Sequence, residues 1–152
     1  MRGLDRWRWP GVGLVLMSLM PGCGGEGSQV SGTPEESLFL QSFAEDYRMY
    51  SISKKQPPRK MDDMKILQIM ASPAMAEVRN GNILVEWGAT LPDTKEEPGQ
   101  STAPEILAYG KEVPEKGGYV LHLDRTVTQM TAEEFKAAPK AGKEPAPAKA
   151  KR

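Results

Sequence analysis

Residues 106–135, ILAYGKEVPEKGGYVLHLDRTVTQMTAEEF, decide the fold of this chain. Three short runs rich in β-branched and aromatic residues, EILAY (105–109), GYVLHL (118–123) and TVTQM (126–130), are bounded by glycine or polar residues and read as strands. Asp124-Arg125 supplies the tight turn of the last hairpin. A primed two-residue turn would strain a positive φ at arginine, whereas a type I turn with a bulge would serve. Thr131 and Glu134 are spaced as a capping box, so a short helix starts there and Phe135 folds it back onto the sheet.

Upstream, ILVEW (83–87) reads as a fourth strand, and residues 88–104, GATLPDTKEEPGQSTAP, form a loop that is read as mobile rather than functional. Thr33 caps a first helix with Pro34 at its first position and Glu36 completing a capping box. Phe39, Leu40, Phe43, Tyr47 and Tyr50 repeat at helical spacing, the face that packs on a sheet, and the helix ends near Ser53. MDDMKILQIM (61–70) is a second short helix with Met64, Ile66, Leu67 and Met70 as packing residues. Ser72-Pro73 opens a third, closed by Asn80-Gly81. The expected class is α+β: an N-terminal helix packed on a small antiparallel sheet of about four strands, with short helices and disordered ends.

The chain divides into four parts on this reading. Residues 1–22 are a signal peptide, 23–33 a lipidated and flexible tether, 34–136 the α+β domain, and 137–152 a disordered basic tail rich in Ala, Pro and Lys. The signal rests on Arg2, Arg6 and Arg8 followed by the apolar run Pro10 to Met20, which is too short to span a bilayer. Beyond it, M-P-G-C (20–23) resembles the lipobox of bacterial lipoproteins, in which a small residue precedes the cysteine that becomes the acylated mature N-terminus. Gly22 and Cys23 match, while Met20 and Pro21 depart from the usual leucine and small residue. The resemblance implies lipidation of Cys23 and, since Gly24 rather than aspartate follows, the periplasmic face of the outer membrane.

The stretch 106–135 also resembles the end of pseudopilin-like exported proteins and small lipoproteins common in planctomycete-type bacteria. Leu107, Ala108, Tyr109, Gly117, Gly118, Val120, Leu121, Asp124, Val127, Thr131, Glu133, Glu134 and Phe135 carry it, and Arg125 stands where that pattern has glycine. It implies a helix packed on a small antiparallel sheet. The long apolar helix of pilin assembly has no counterpart in the sequence.

Formal charge is zero, with 20 basic and 20 acidic residues, so no nucleic-acid partner is expected. One cysteine excludes an intramolecular disulfide framework and multi-cysteine metal sites. Met61, Met64, Met70 and Met75 read as core filler rather than copper ligands. His122, the sole histidine, would point to the same side of a strand as Asp124, the only pairing that suggests a small hydrolase. No nucleophile motif accompanies it, and an enzyme, a cofactor and a metal are not expected. The function read from the sequence is an envelope-anchored lipoprotein with a non-catalytic binding or structural role, with an envelope protein as a possible partner. A pseudopilin-related part of a secretion or fibre apparatus and a hydrolase using His122 and Asp124 are the alternatives.

Overall fold

The structure is a computed structural model that describes residues 30–67 and 71–142. Residues 1–22, read as a signal peptide, and Cys23 lie outside the described residues, as do Gln68 to Met70 and the side chains of Ile66 and Leu67.

Helix α1 (Pro34–Lys54) starts where the Thr33 hydroxyl accepts the Glu36 N–H at 3.3 Å, and it stops at Lys55, which takes the left-handed conformation at φ 54°. Leu40, Phe43, Ala44, Tyr47 and Tyr50 are buried along one face. A 3₁₀ helix (Met61–Leu67) and α2 (Pro73–Arg79) follow. The Ser72 hydroxyl caps α2 by accepting the Met75 N–H at 3.2 Å, and it donates to the Asp46 carboxylate on α1 at 2.6 Å, tying the two helices together.

Four strands, β1 (Ile83–Val85), β2 (Ile106–Gly110), β3 (Gly118–His122) and β4 (Val127–Met130), form an antiparallel sheet in sequence order. A single-turn helix α3 (Val113–Lys116) joins β2 to β3, and α4 (Ala132–Ala137) follows β4 with both bonds of its capping box formed. The α+β class, the helix on the sheet and the four strands therefore stand as read.

Both faces of the sheet are covered. Leu107, Ala108 and Leu121 pack against α1 and α2, while Ile106, Val120 and Phe135 cluster with Val113 on the other side. Adjacent residues Leu107 and Ala108 both join the α1 cluster because the register shifts between Ile106 and Ala108. Such a bulge sets two residues against one on the partner strand and breaks the alternation of faces.

The domain boundaries differ from those read in the sequence. Residues 30–32, assigned to a flexible tether, are docked: Ser31 N–H donates to the Lys116 carbonyl at 3.3 Å. At the other end, residues 138–142, assigned to a disordered tail, complete the fold. Ile106 N–H donates to the Pro139 carbonyl and its carbonyl accepts the Ala141 N–H, each at 2.9 Å, in a parallel bridge centred on Lys140. Ala141 is 2 % exposed within the main core. Lys140 Nζ lies 3.7 Å from the centroid of the Phe135 ring and donates to the carbonyls of Phe135 and Ala138, the open C-terminal end of α4. A segment of alanines and lysines has no apolar periodicity of its own, and it folds because β2 presents unpaired backbone beyond the end of β1. Deleting 138–152 is accordingly expected to destabilise the domain by about 2–4 kcal/mol more than deleting 143–152, from two lost backbone bonds, a buried alanine and the lysine cap. Urea unfolding of the two truncations measures the difference.

The loop 88–104, read as mobile, is pinned along its length. Gly88 N–H donates to Pro58 C=O at 2.8 Å, and the Tyr47 hydroxyl to Ala89 C=O at 2.8 Å. Arg48 donates to Thr94 C=O, Arg125 to Glu96 C=O, and Gly99 N–H to Asp124 C=O. The loop's own Ala89, Leu91 and Ala103 are buried. The anchors come from distant parts of the chain, so nothing within the loop announces them.

Candidate functional site

A cleft of about 340 Å³ lies between the start of α1, the α2–β1 corner and α3. Phe39, Ile83 and Val113 supply apolar lining, and Glu35, Glu36, Glu77 and Glu112 outnumber Lys111 among its charged groups. One wall is a hydrogen-bonded chain. Lys111 N–H and Nζ donate to the Asn82 backbone and side-chain oxygens at 2.9 and 2.8 Å, and Asn82 Nδ2 donates to Glu77 at 2.8 Å.

Glu36 forms the opposite wall. Its carboxylate occupies the space that a Cβ on Gly110 would fill, so a side chain at that position of β2 would displace the Glu36 head from this wall. Burial raises the Glu36 pKa above the ordinary carboxylate range, the Thr33 N–H pulls it partly back, and the charge of Glu112 pushes it up again. Burial likewise raises that of Asp46, against its bond from Ser72 and with the repulsion of Glu45.

Both groups hold their proton more tightly in the fold than in the unfolded chain. Their contribution to stability is full below the unfolded carboxylate pKa and is lost as pH rises through the raised folded value. Glu36→Gln should therefore raise stability at pH 7, by less than about 1 kcal/mol because the group is half in solvent, and leave it unchanged near pH 4. Thermal unfolding at the two pH values reads the difference. Chemically, an acidic, partly apolar cleft of this kind disfavours anions and accepts groups that donate hydrogen bonds.

The structure does not bring the His122 and Asp124 side chains into one constellation. His122 is 7 % exposed, with Nδ1 2.9 Å from the Pro104 carbonyl and Nε2 2.8 Å from the Thr128 hydroxyl. A carbonyl only accepts, so Nδ1 carries the proton and, in the neutral ring, Nε2 accepts from Thr128. The histidine thus clasps the end of the loop to β4. Asp124 instead accepts the Thr126 N–H at 3.0 Å and its hydroxyl at 2.6 Å within the turn. Met64 and Met75 are fully buried in the main core and Met61 packs against it, while Met70 lies outside the described residues. Among the described residues no group of His, Cys, Asp or Glu is placed to hold a metal ion.

The sequence places Arg125 in the turn of the last hairpin, at a glycine position, but gives its side chain no partner. Arg125 follows a turn closed by its own N–H to the His122 carbonyl at 3.0 Å and sits at φ 68°. That arrangement is the three-residue hairpin with a left-handed last position, in place of a two-residue Asp124-Arg125 turn. Its guanidinium is buried against Glu45 of α1 at 3.2 Å and the Glu96 carbonyl. The signal available in the sequence was the arginine at a glycine position: a residue tolerated there despite its Cβ needs a compensating contact.

Comparison with protein-family models, with curated proteins and with solved structures gave no match.

Proposed function

We propose that this chain is an envelope lipoprotein, held by acylated Cys23 at the periplasmic face of the outer membrane, whose α+β domain has a non-catalytic binding or structural role. The observation that carries the reading is an order of features along the chain. Basic residues, a short apolar run, Gly22-Cys23 and a glycine-rich stretch are followed by a folded body that includes Ser31 and Thr33. The seven steps from Cys23 to Val30 reach at most about 25 Å, which keeps the domain next to the surface that holds the anchor. Ser31 is docked on Lys116, beside the cleft lined by Glu36 and Asn82, and a chain held at Cys23 would meet the body there. No described helix is long and apolar enough to cross a membrane, and attachment through a lipid needs none. Fractionation of cells tests the reading. The wild-type chain should remain with membranes after an alkaline wash and be released by detergent, whereas a Cys23→Ala chain retained identically would argue against the anchor.

A further inference from the structure

Helix α1 carries apolar side chains on two opposite faces. Besides the buried stripe, Leu38, Met49 and Ile52 are 62 %, 56 % and 48 % exposed. At 100° and 1.5 Å per residue they fall within an arc of about 60° and along about 21 Å of helix, on the side away from Phe43 and Tyr47. Lys54 ends α1 on the side of Phe43 and Tyr47, and beyond it the chain reads KQPPRK (55–60). Lys55, Arg59 and Lys60 are exposed, Lys54 is half-buried, and none of the ion pairs among the described residues involves these four.

Of the nearby acids, Asp62 pairs with Lys65 at 2.6 Å, and Glu45 is matched by Arg48 and Arg125. Asp63, which meets only the backbone N–H of Arg59, and Glu35, exposed in the first turn of α1, take part in none of the ion pairs among the described residues and oppose the attraction of the basic cluster.

We infer that the outer ridge of α1 rests on an anionic phospholipid bilayer, with Met49 and Ile52 entering the headgroup region and the basic residues of 55–60 facing lipid phosphates. The inference rests on the proposed anchor: the chain from Cys23 enters the body beside the N-terminal end of α1, and the basic cluster lies at the far end, so contact at both ends lays the helix along the surface. Apolar side chains flanked by Lys and Arg are the composition that binds such an interface, and one lipid signal is stabilised by a polybasic second. A second copy fits less well. Three separated side chains fall far short of the roughly 800 Å² per partner of a stable interface, and a two-fold contact would oppose the two basic clusters.

Site-directed spin labelling of the acylated chain in vesicles tests this. Acylation converts the Cys23 sulfur to a thioether, so Ile52→Cys, or Lys136→Cys on α4 across the sheet, offers one reactive thiol. In vesicles containing phosphatidylglycerol, the nitroxide at 52 should be accessible to oxygen and shielded from a water-soluble nickel chelate, and that at 136 the reverse. Replacing Lys55, Arg59 and Lys60 by Glu, or using phosphatidylcholine alone, should return site 52 to the solvent pattern and weaken contact at least about tenfold, with the chain still vesicle-bound. A nickel-accessible site 52 on an acylated chain in phosphatidylglycerol overturns the docking face. Intact mass of the same sample scores the anchor separately. If Cys23 is unacylated, the labels are read in a Cys23→Ser background with vesicles added. A bilayer pattern at 52 then supports the docking face alone, and a solvent pattern overturns it.

Discussion

Gly117→Ala should lower the stability of the domain by about 3 kcal/mol or more, the largest effect expected of a single methyl group in this molecule. Gly117 ends α3 at φ 71° and ψ 176°, a backbone region that is essentially glycine's alone. A Cβ there would also lie 2.5 Å from the Met130 carbonyl and 3.0 Å from Thr131 Cα. Neither neighbour can give way. Met130 is paired with Gly118 across β3 and β4, and Thr131 is fixed by both bonds of the α4 capping box. At roughly 4–8 °C per kcal/mol for a domain of this size, Tm should fall by at least about 12 °C. Gly81→Ala provides the control, because Gly81 has the same sign of φ, 72°, with nothing within 4 Å of an added Cβ. It should cost only about 1 kcal/mol, and equal losses for the two variants would show that the clash at Gly117 is relieved.

Arg125→Ala is the second large effect, expected at about 2–3 kcal/mol. The substitution removes the pair with Glu45 and the bond to the Glu96 carbonyl while leaving a side chain at positive φ. Glu45 is half exposed, so its released charge is solvated, which holds the loss below that of a fully buried pair. Arg125→Gly removes the same contacts but relieves the left-handed strain, and should recover about 1 kcal/mol relative to the alanine variant. Both variants should free the middle of the loop. Trypsin cleavage after Lys95, an exposed position one residue from Glu96, is expected to speed up about tenfold for each 1.4 kcal/mol by which local opening becomes easier. Unchanged cleavage would mean that Arg48, Tyr47 and Gly99 suffice to hold the loop.

Elements whose signals are local were legible in the sequence. The caps at Thr33, Ser72 and Thr131 stand where the residue types place them, and the four strands lie within two residues of the runs that suggested them. The aromatic stripe of α1 is the core face it resembled. What was not legible depends on partners far away in the chain. Leu107 and Ala108 share a face because of a bulge that no turn residue marks. Ala141 is buried because β2 lacks a neighbour beyond Glu86, whose N–H takes the Leu107 carbonyl. His122 looked like half of a catalytic pair, yet its ring bonds join positions 104 and 128. The cleft was equally hidden, since Glu36 and Gly110 are 74 positions apart and meet only through the packing of α1 on the sheet.

The proposed acylation of Cys23 is tested most directly by intact mass with metabolic acyl labelling of the membrane-fraction protein. The expected product is a chain beginning at Cys23 that carries acyl chains, with label and mass increment both lost in Cys23→Ala. A chain that carries no acyl label, or one whose label survives the substitution, would contradict it.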